Sequence, residues 1–200
     1  MASLSLAIIC HHASISCSSQ VVQKFPAHSA MLRARSPVLA SLLAAAREAS
    51  PQSPLLELHL EGVSATGLEA ALHYIYTGWV QGQGLGELVR AGVRLQLPGL
   101  LHTLGQLLDS AGLREVVEVL VVAQTLGLEQ LVEGAVARLT RDRVALVSEP
   151  WWRDKMLASP GALLRLYEEL CQEEAEGVLC YSCGAVSRGQ DCGWCSFRGC

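Results

Sequence analysis

The chain has 200 residues, of which 50% are hydrophobic, 17% charged and only 5% aromatic. That balance excludes a disordered chain, which needs low hydrophobicity and high charge. With 15 basic against 19 acidic residues the net charge is -4. No basic stripe stands out, so nucleic acid is not an expected partner, because phosphate neutralisation supplies most of that affinity. Scarce aromatics leave Leu, Val and Ala to build the core, which suits packed helices better than a β-sandwich.

Residues 1–20 show no clear period and are expected to be irregular. Val21 to Phe25 reads as a short strand broken by Pro26, and His28-Ser29 opens a short helix. Ser36-Pro37 restarts the chain, with Ser as N-cap and Pro at the first helical position. Val38, Leu39, Leu42, Leu43 and Ala46 then share one helical face. Leu56, Leu58 and Leu60 alternate with Glu57 and His59, the period of a half-buried strand. Ser64 caps a helix carrying Leu68, Ala71, Leu72 and Ile75, which Thr77-Gly78 stops.

A Gly-rich loop follows, and everything beyond it reads as helix. Leu85, Leu88, Val89 and Gly92 lie on one face. Pro98 is expected to start the next helix, with Leu101, Leu104 and Leu108 inside. Val116 to Ala123 repeat the pattern, and Gly127 is a C-terminal stop. Leu128 to Leu139 give the cleanest amphipathic helix. Pro150 and Pro160 bracket a Trp-Trp segment, and Leu163, Leu166, Tyr167 and Leu170 mark the last helix. From residue 176 the chain turns rich in Gly and Cys and reads as a separate tail.

No run of 18 apolar residues suggests a membrane span, so no membrane partner is expected. The apolar start has no Lys or Arg before it, unlike a secretory signal. Of eight Cys, two lie near the start and six between Cys171 and Cys200. A secreted disulfide scaffold would spread them through the fold, so a cytoplasmic or nuclear protein is expected.

Four segments, taken in order, resemble the BTB/POZ domain. They are Phe25-Pro26-Ala27-His28 with Met31-Leu32 and Ser36-Pro37; the strand Leu56–Leu60 with Glu61-Gly62-Val63-Ser64; His73-Tyr74-Ile75-Tyr76-Thr77-Gly78; and the helix joint Ala91 to Leu100. Residues 113–170 resemble the opening helices of the BACK domain of kelch-like proteins. The resemblance implies an α+β fold: a mostly helical BTB/POZ-like domain with a small sheet, followed by BACK-like helical hairpins. The expected divisions are an irregular segment 1–20, a BTB/POZ-like domain 21–110, a partial BACK-like region 111–175 and a Cys/Gly-rich tail 176–200.

The chain departs from the pattern in places. Val38-Leu39 stands where the family has an aromatic after Ser-Pro, the dimerisation helix ahead of the first strand is missing, and no kelch repeats follow. The expectation is a truncated or divergent member, or an alternative product, whose self-association is weak or incomplete.

The resemblance also implies a function: a protein–protein interaction module acting as a substrate-adaptor-type subunit of a cullin-RING ubiquitin ligase. Kelch-like relatives grip the cullin scaffold with a hydrophobic-x-Glu element after the Ser-Pro helix, which falls here on Ala46 and Glu48; Ala is a smaller anchor than Met or Leu, and a plain surface Glu is the other reading. Trp151 and Trp152 are candidate partner anchors, since Trp is frequent in interface hot spots; packing over the helical stack is the other reading. A self-associating scaffold or transcription-regulator module without a ligase role is the alternative. His28 is read as structural, tying the strand end to the helix start.

No enzyme is expected. There is no G-x-S-x-G, no P-loop and no H-E-x-x-H, and Gly82-Gln83-Gly84-Leu85-Gly86 lacks the Lys-Ser/Thr that a phosphate cradle needs. Cys180, Cys183, Cys192 and Cys195 form two C-x2-C pairs, the right number and type of ligands for structural zinc. The spacer between the pairs is shorter than in zinc ribbons, so two readings stand: no cofactor with an unstructured tail, or a small zinc-binding protein acting through the tail.

Overall fold

The computed structural model describes residues 5–10, 23–53, 56–174, 178–179 and 186–187. The chain divides into two compact units, Met1–Gln106 and Leu107–Cys200.

The first unit is built on a three-stranded sheet in the order β2-β1-β3, from β1 (Ser5–Cys10), β2 (Gln23–His28) and β3 (Leu56–Leu60). β1 is the central strand. It runs antiparallel to β2 and parallel to β3. For residues 5–10 this corrects the irregular start expected for 1–20, the rest of which lies outside the described residues: Ile8 and Ile9 are β-branched and serve a strand flanked on both sides. β2 also runs through Pro26 to His28 rather than breaking there. Proline is tolerated because, among the described residues, β2 has a neighbour on one side only, and on the other a missing N–H costs no ladder bond.

Helices α1 (Ser29–Arg35) and α2 (Pro37–Ala49) follow β2. The Ser36 hydroxyl between them is buried and does two jobs. It accepts a bond from Leu39 N–H at 3.1 Å, capping α2, and donates to the Leu95 carbonyl at 2.6 Å. Leu39 and Leu43 are fully buried, and α2 packs on β3. Leu56, Leu58 and Leu60 point inward while Glu57 and His59 are exposed, as their alternation predicts.

Helix α3 (Ala65–Thr77) is capped by Ser64, whose hydroxyl accepts from Gly67 N–H at 3.0 Å and donates to Glu87 at 2.5 Å. It ends at Gly78, held in the left-handed region at φ 75°. α4 (Leu85–Arg94) lies so close that a Cβ on Gly67 would sit 2.8 Å from the Glu87 carbonyl oxygen. α5 (Leu100–Leu107) begins two residues later than Pro98, because Gly99 turns the chain at φ 76°. The shift buries Leu100, Leu104 and Leu108 and leaves Leu101 at the surface.

The second unit is helical: α6 (Leu113–Leu126), α7 (Glu129–Arg141), α8 (Arg143–Ser148), α9 (Pro150–Leu157) and α10 (Pro160–Glu174). α6 and α7 form an antiparallel-type hairpin about Gly127, and α10 packs on both. Its core is Val116, Val119, Leu120, Ala123, Leu131, Val132, Ala135, Val136 and Leu139, the residues read as helix faces. The short α8 was not anticipated; six residues carry too little periodicity to register. On α10, Ala162 and Leu166 are buried whereas Tyr167 is exposed, so the buried face is rotated from the expected one. In the tail, Val178–Leu179 pairs antiparallel with Val186–Ser187.

Candidate interaction surfaces

The C-terminal end of α2 carries the two residues singled out in the first unit. Ala46 is half-buried and, with Ala49 one turn on, lines a surface depression of about 440 Å³ with Ser50, Ser53, Leu56 and Glu57. Arg47 holds the loop after α2 by donating to the Ser53 carbonyl at 2.9 Å. Glu48 is exposed and has no hydrogen-bond or ion-pair partner among the described residues. At 3.6 residues per turn, Glu48 sits about 200° around the helix from Ala46. The structure therefore puts Ala46 against the depression and Glu48 on the opposite side, and does not bring them together on one face.

His28 is structural in an unexpected way. Its backbone N–H donates to Tyr76 Oη at 2.7 Å, and that hydroxyl lies 2.9 Å from its own Nδ1. The hydroxyl thus accepts from the main chain and exchanges a second hydrogen bond with the ring, whose direction depends on the imidazole tautomer. The bond ties the end of β2 to α3 rather than to the start of α1. Tyr74, two residues earlier on α3, points elsewhere and donates to the Pro98 carbonyl at 3.1 Å.

Sequence reasoning missed Trp79. It follows the stop of α3 and is 74% exposed, held at its backbone by a bond from its N–H to Thr77 Oγ1 at 3.1 Å. An aromatic immediately beyond a glycine helix stop was the available signal, since no periodic face could absorb it.

In the second unit Trp151 and Trp152 are half-buried on α9. Trp151 Nε1–H donates to Glu149 at 2.8 Å, and the Arg114 guanidinium lies 5.9 Å above its ring. Both contacts hold it inside its own unit. The apolar side chains that face outward here are Val144, Val147, Leu157 and Leu164. Asp109 and Arg141 form an exposed pair at 2.5 Å, and the guanidinium's hydrogen bond and charge hold the carboxyl below its ordinary value.

Cys180, Cys183, Cys192 and Cys195 lie outside the described residues. Among the described residues no group of three His, Cys, Asp or Glu side chains is placed to hold a metal ion. None of their helices is long and apolar enough to cross a membrane.

The first unit thus joins a small mixed sheet to α1–α5. A sequence model of the BTB/POZ domain family matches residues 10–112, more than half of the chain. The chain belongs to the BTB/POZ family. BTB/POZ domains mediate protein–protein interaction and self-association, so this one is a protein-interaction module. The match begins within β1, well before Phe25, and ends at the N-cap of α6. A comparison with curated proteins gave no match.

Proposed function

We propose that the chain is a substrate-adaptor-type subunit of a cullin-RING ubiquitin ligase, with the BTB/POZ domain holding the cullin scaffold and a partial BACK-like helical region, 111–175, behind it. The observation that carries this reading is Glu48. It is a carboxylate at the end of α2, exposed and without a partner among the described residues, in a position where kelch-like relatives use a Glu to grip the scaffold. A free carboxylate is available to a cationic partner at little cost, because no internal pair has to break first. Ala46 contributes differently. It borders a depression rather than projecting as a knob, so apolar contact at this end of α2 comes from a partner side chain entering the space beside Ala46, Ala49 and Leu56.

Two further features support an adaptor. A helical unit, Leu107–Cys200, extends beyond the end of the BTB/POZ match at residue 112, and it presents Val144, Val147 and Leu157 outward. The scaffolding alternative without a ligase role shares the same BTB/POZ domain and differs in not binding a cullin. Co-expression of the chain with the N-terminal region of a cullin, followed by affinity capture of one and detection of the other, separates the two. Co-capture supports the adaptor; its absence in both directions removes it.

A further inference from the structure

The two outer strands of the sheet are not alike. β2 carries Pro26, which lacks an N–H, so its open side is an imperfect template for another strand. β3 contains no proline. Among the described residues it pairs with β1 along its whole length, and no backbone bond engages its other side. Such an edge can accept an added strand, with main-chain bonds giving affinity and side-chain pairs setting the register.

The side chains of β3 specify one occupant. Its outward face carries Glu57 and His59, and its inward face Leu56, Leu58 and Leu60. In an antiparallel pair, directly opposite residues share a face, so only registers that keep leucine beside leucine are allowed. If two copies of β3 meet with Leu58 opposite Leu58, all five residues pair, and Glu57 of each copy faces His59 of the other. Sliding by one pair sets Glu57 against Glu57, or Glu57 against Glu61. Both slipped registers put like charges opposite each other, which is unfavourable. The strand therefore sets each carboxylate against an imidazole, a hydrogen-bond acceptor against a donor, in one register alone, as a two-fold interface requires.

Neither residue needs to be idle for this. Glu57 accepts from Lys24 at 2.9 Å while remaining exposed, and a carboxylate has a second oxygen to offer. His59 also interacts within its own chain.

We propose that the free edge of β3 is a self-association surface, pairing antiparallel with β3 of a second copy of this chain about a two-fold axis at Leu58. The pairing does not depend on the ligase reading; a chain that binds a cullin but whose association ignores these charges loses this proposal alone.

The test is sedimentation velocity of the full chain across micromolar concentrations. The wild type should associate reversibly. His59→Glu sets two carboxylates opposite each other twice, and Glu57→Lys removes the carboxylate that the imidazole meets; each should raise the dissociation constant roughly tenfold. The double variant Glu57→Lys/His59→Glu sets an ammonium against a carboxylate twice and should bring association back to at least the wild-type strength. Lys24→Ala removes only the intrachain pair and should leave association unchanged. Circular dichroism identifies any variant that fails to fold, and the two single substitutions report independently. A wild type that stays monomeric, single variants that associate like the wild type, or a double variant as weak as the singles would each overturn the proposal.

Discussion

Replacing Ser36 by Ala removes one hydroxyl that serves two elements at once. Ser36 is 1% exposed, so no water replaces it. Loss of the cap on Leu39 N–H costs about 1 kcal/mol. The Leu95 carbonyl, which accepts the hydroxyl proton at 2.6 Å, loses that partner in a buried setting, which costs about 1–3 kcal/mol. Together the change amounts to about 2–4 kcal/mol, a large part of the roughly 5–15 kcal/mol that a domain has in total. In urea, with a slope of about 1–3 kcal/mol/M, the midpoint should fall by about 0.7–4 M. Ser36→Gly separates the two roles. Glycine at an N-cap loses only a few tenths of a kcal/mol, so most of its effect reports the Leu95 bond. A loss below about 0.5 kcal/mol in Ser36→Ala, the range of an ordinary surface change, would refute the account of Ser36 as the buried link between α2 and the end of α4.

The other expectations follow from single contacts. Leu131→Asp places a charge in the buried face of α7, where Leu131 is 3% exposed; the second unit should unfold or aggregate, seen as loss of its thermal transition, since such a charge costs several kcal/mol. Gly67→Ala drives a methyl against the Glu87 carbonyl and should lower the melting temperature despite alanine's better helix propensity. Arg141→Gln should raise the Asp109 titration midpoint seen by NMR, because the Arg141 hydrogen bond and charge are what lower it. Since the folded carboxyl titrates below its unfolded value, the small stabilisation from this exposed pair is present above the unfolded midpoint. It is lost as pH falls through the folded one. Metal analysis of protein purified under reducing conditions tests the tail: one equivalent of zinc, lost on replacing Cys180 and Cys183 by Ser, would establish the zinc reading, and substoichiometric zinc would favour the tail without a cofactor.

Much of the fold was legible because its signals are local. The Ser36-Pro37 start, the alternation of Leu56–Leu60 and the glycine stops at Gly78 and Gly127 each fix an element within a few residues. β1 was not legible because its neighbours are distant in sequence: β3 lies some fifty residues away, and a central strand of Leu, Ala and Ile shows no alternation. The placement of Ala46 and Glu48 was legible only from the resemblance, which puts both at the end of α2; that they lie on opposite sides follows from helix geometry, since residues two apart face different ways. Trp79 and the rotated face of α10 depend on which neighbour each helix meets, and composition does not encode that.

Isothermal titration of the full chain with the purified N-terminal region of a cullin tests the adaptor reading most directly. The account predicts saturable binding that Glu48→Ala weakens while leaving the circular dichroism spectrum unchanged. No heat of binding from the folded wild-type chain would contradict it.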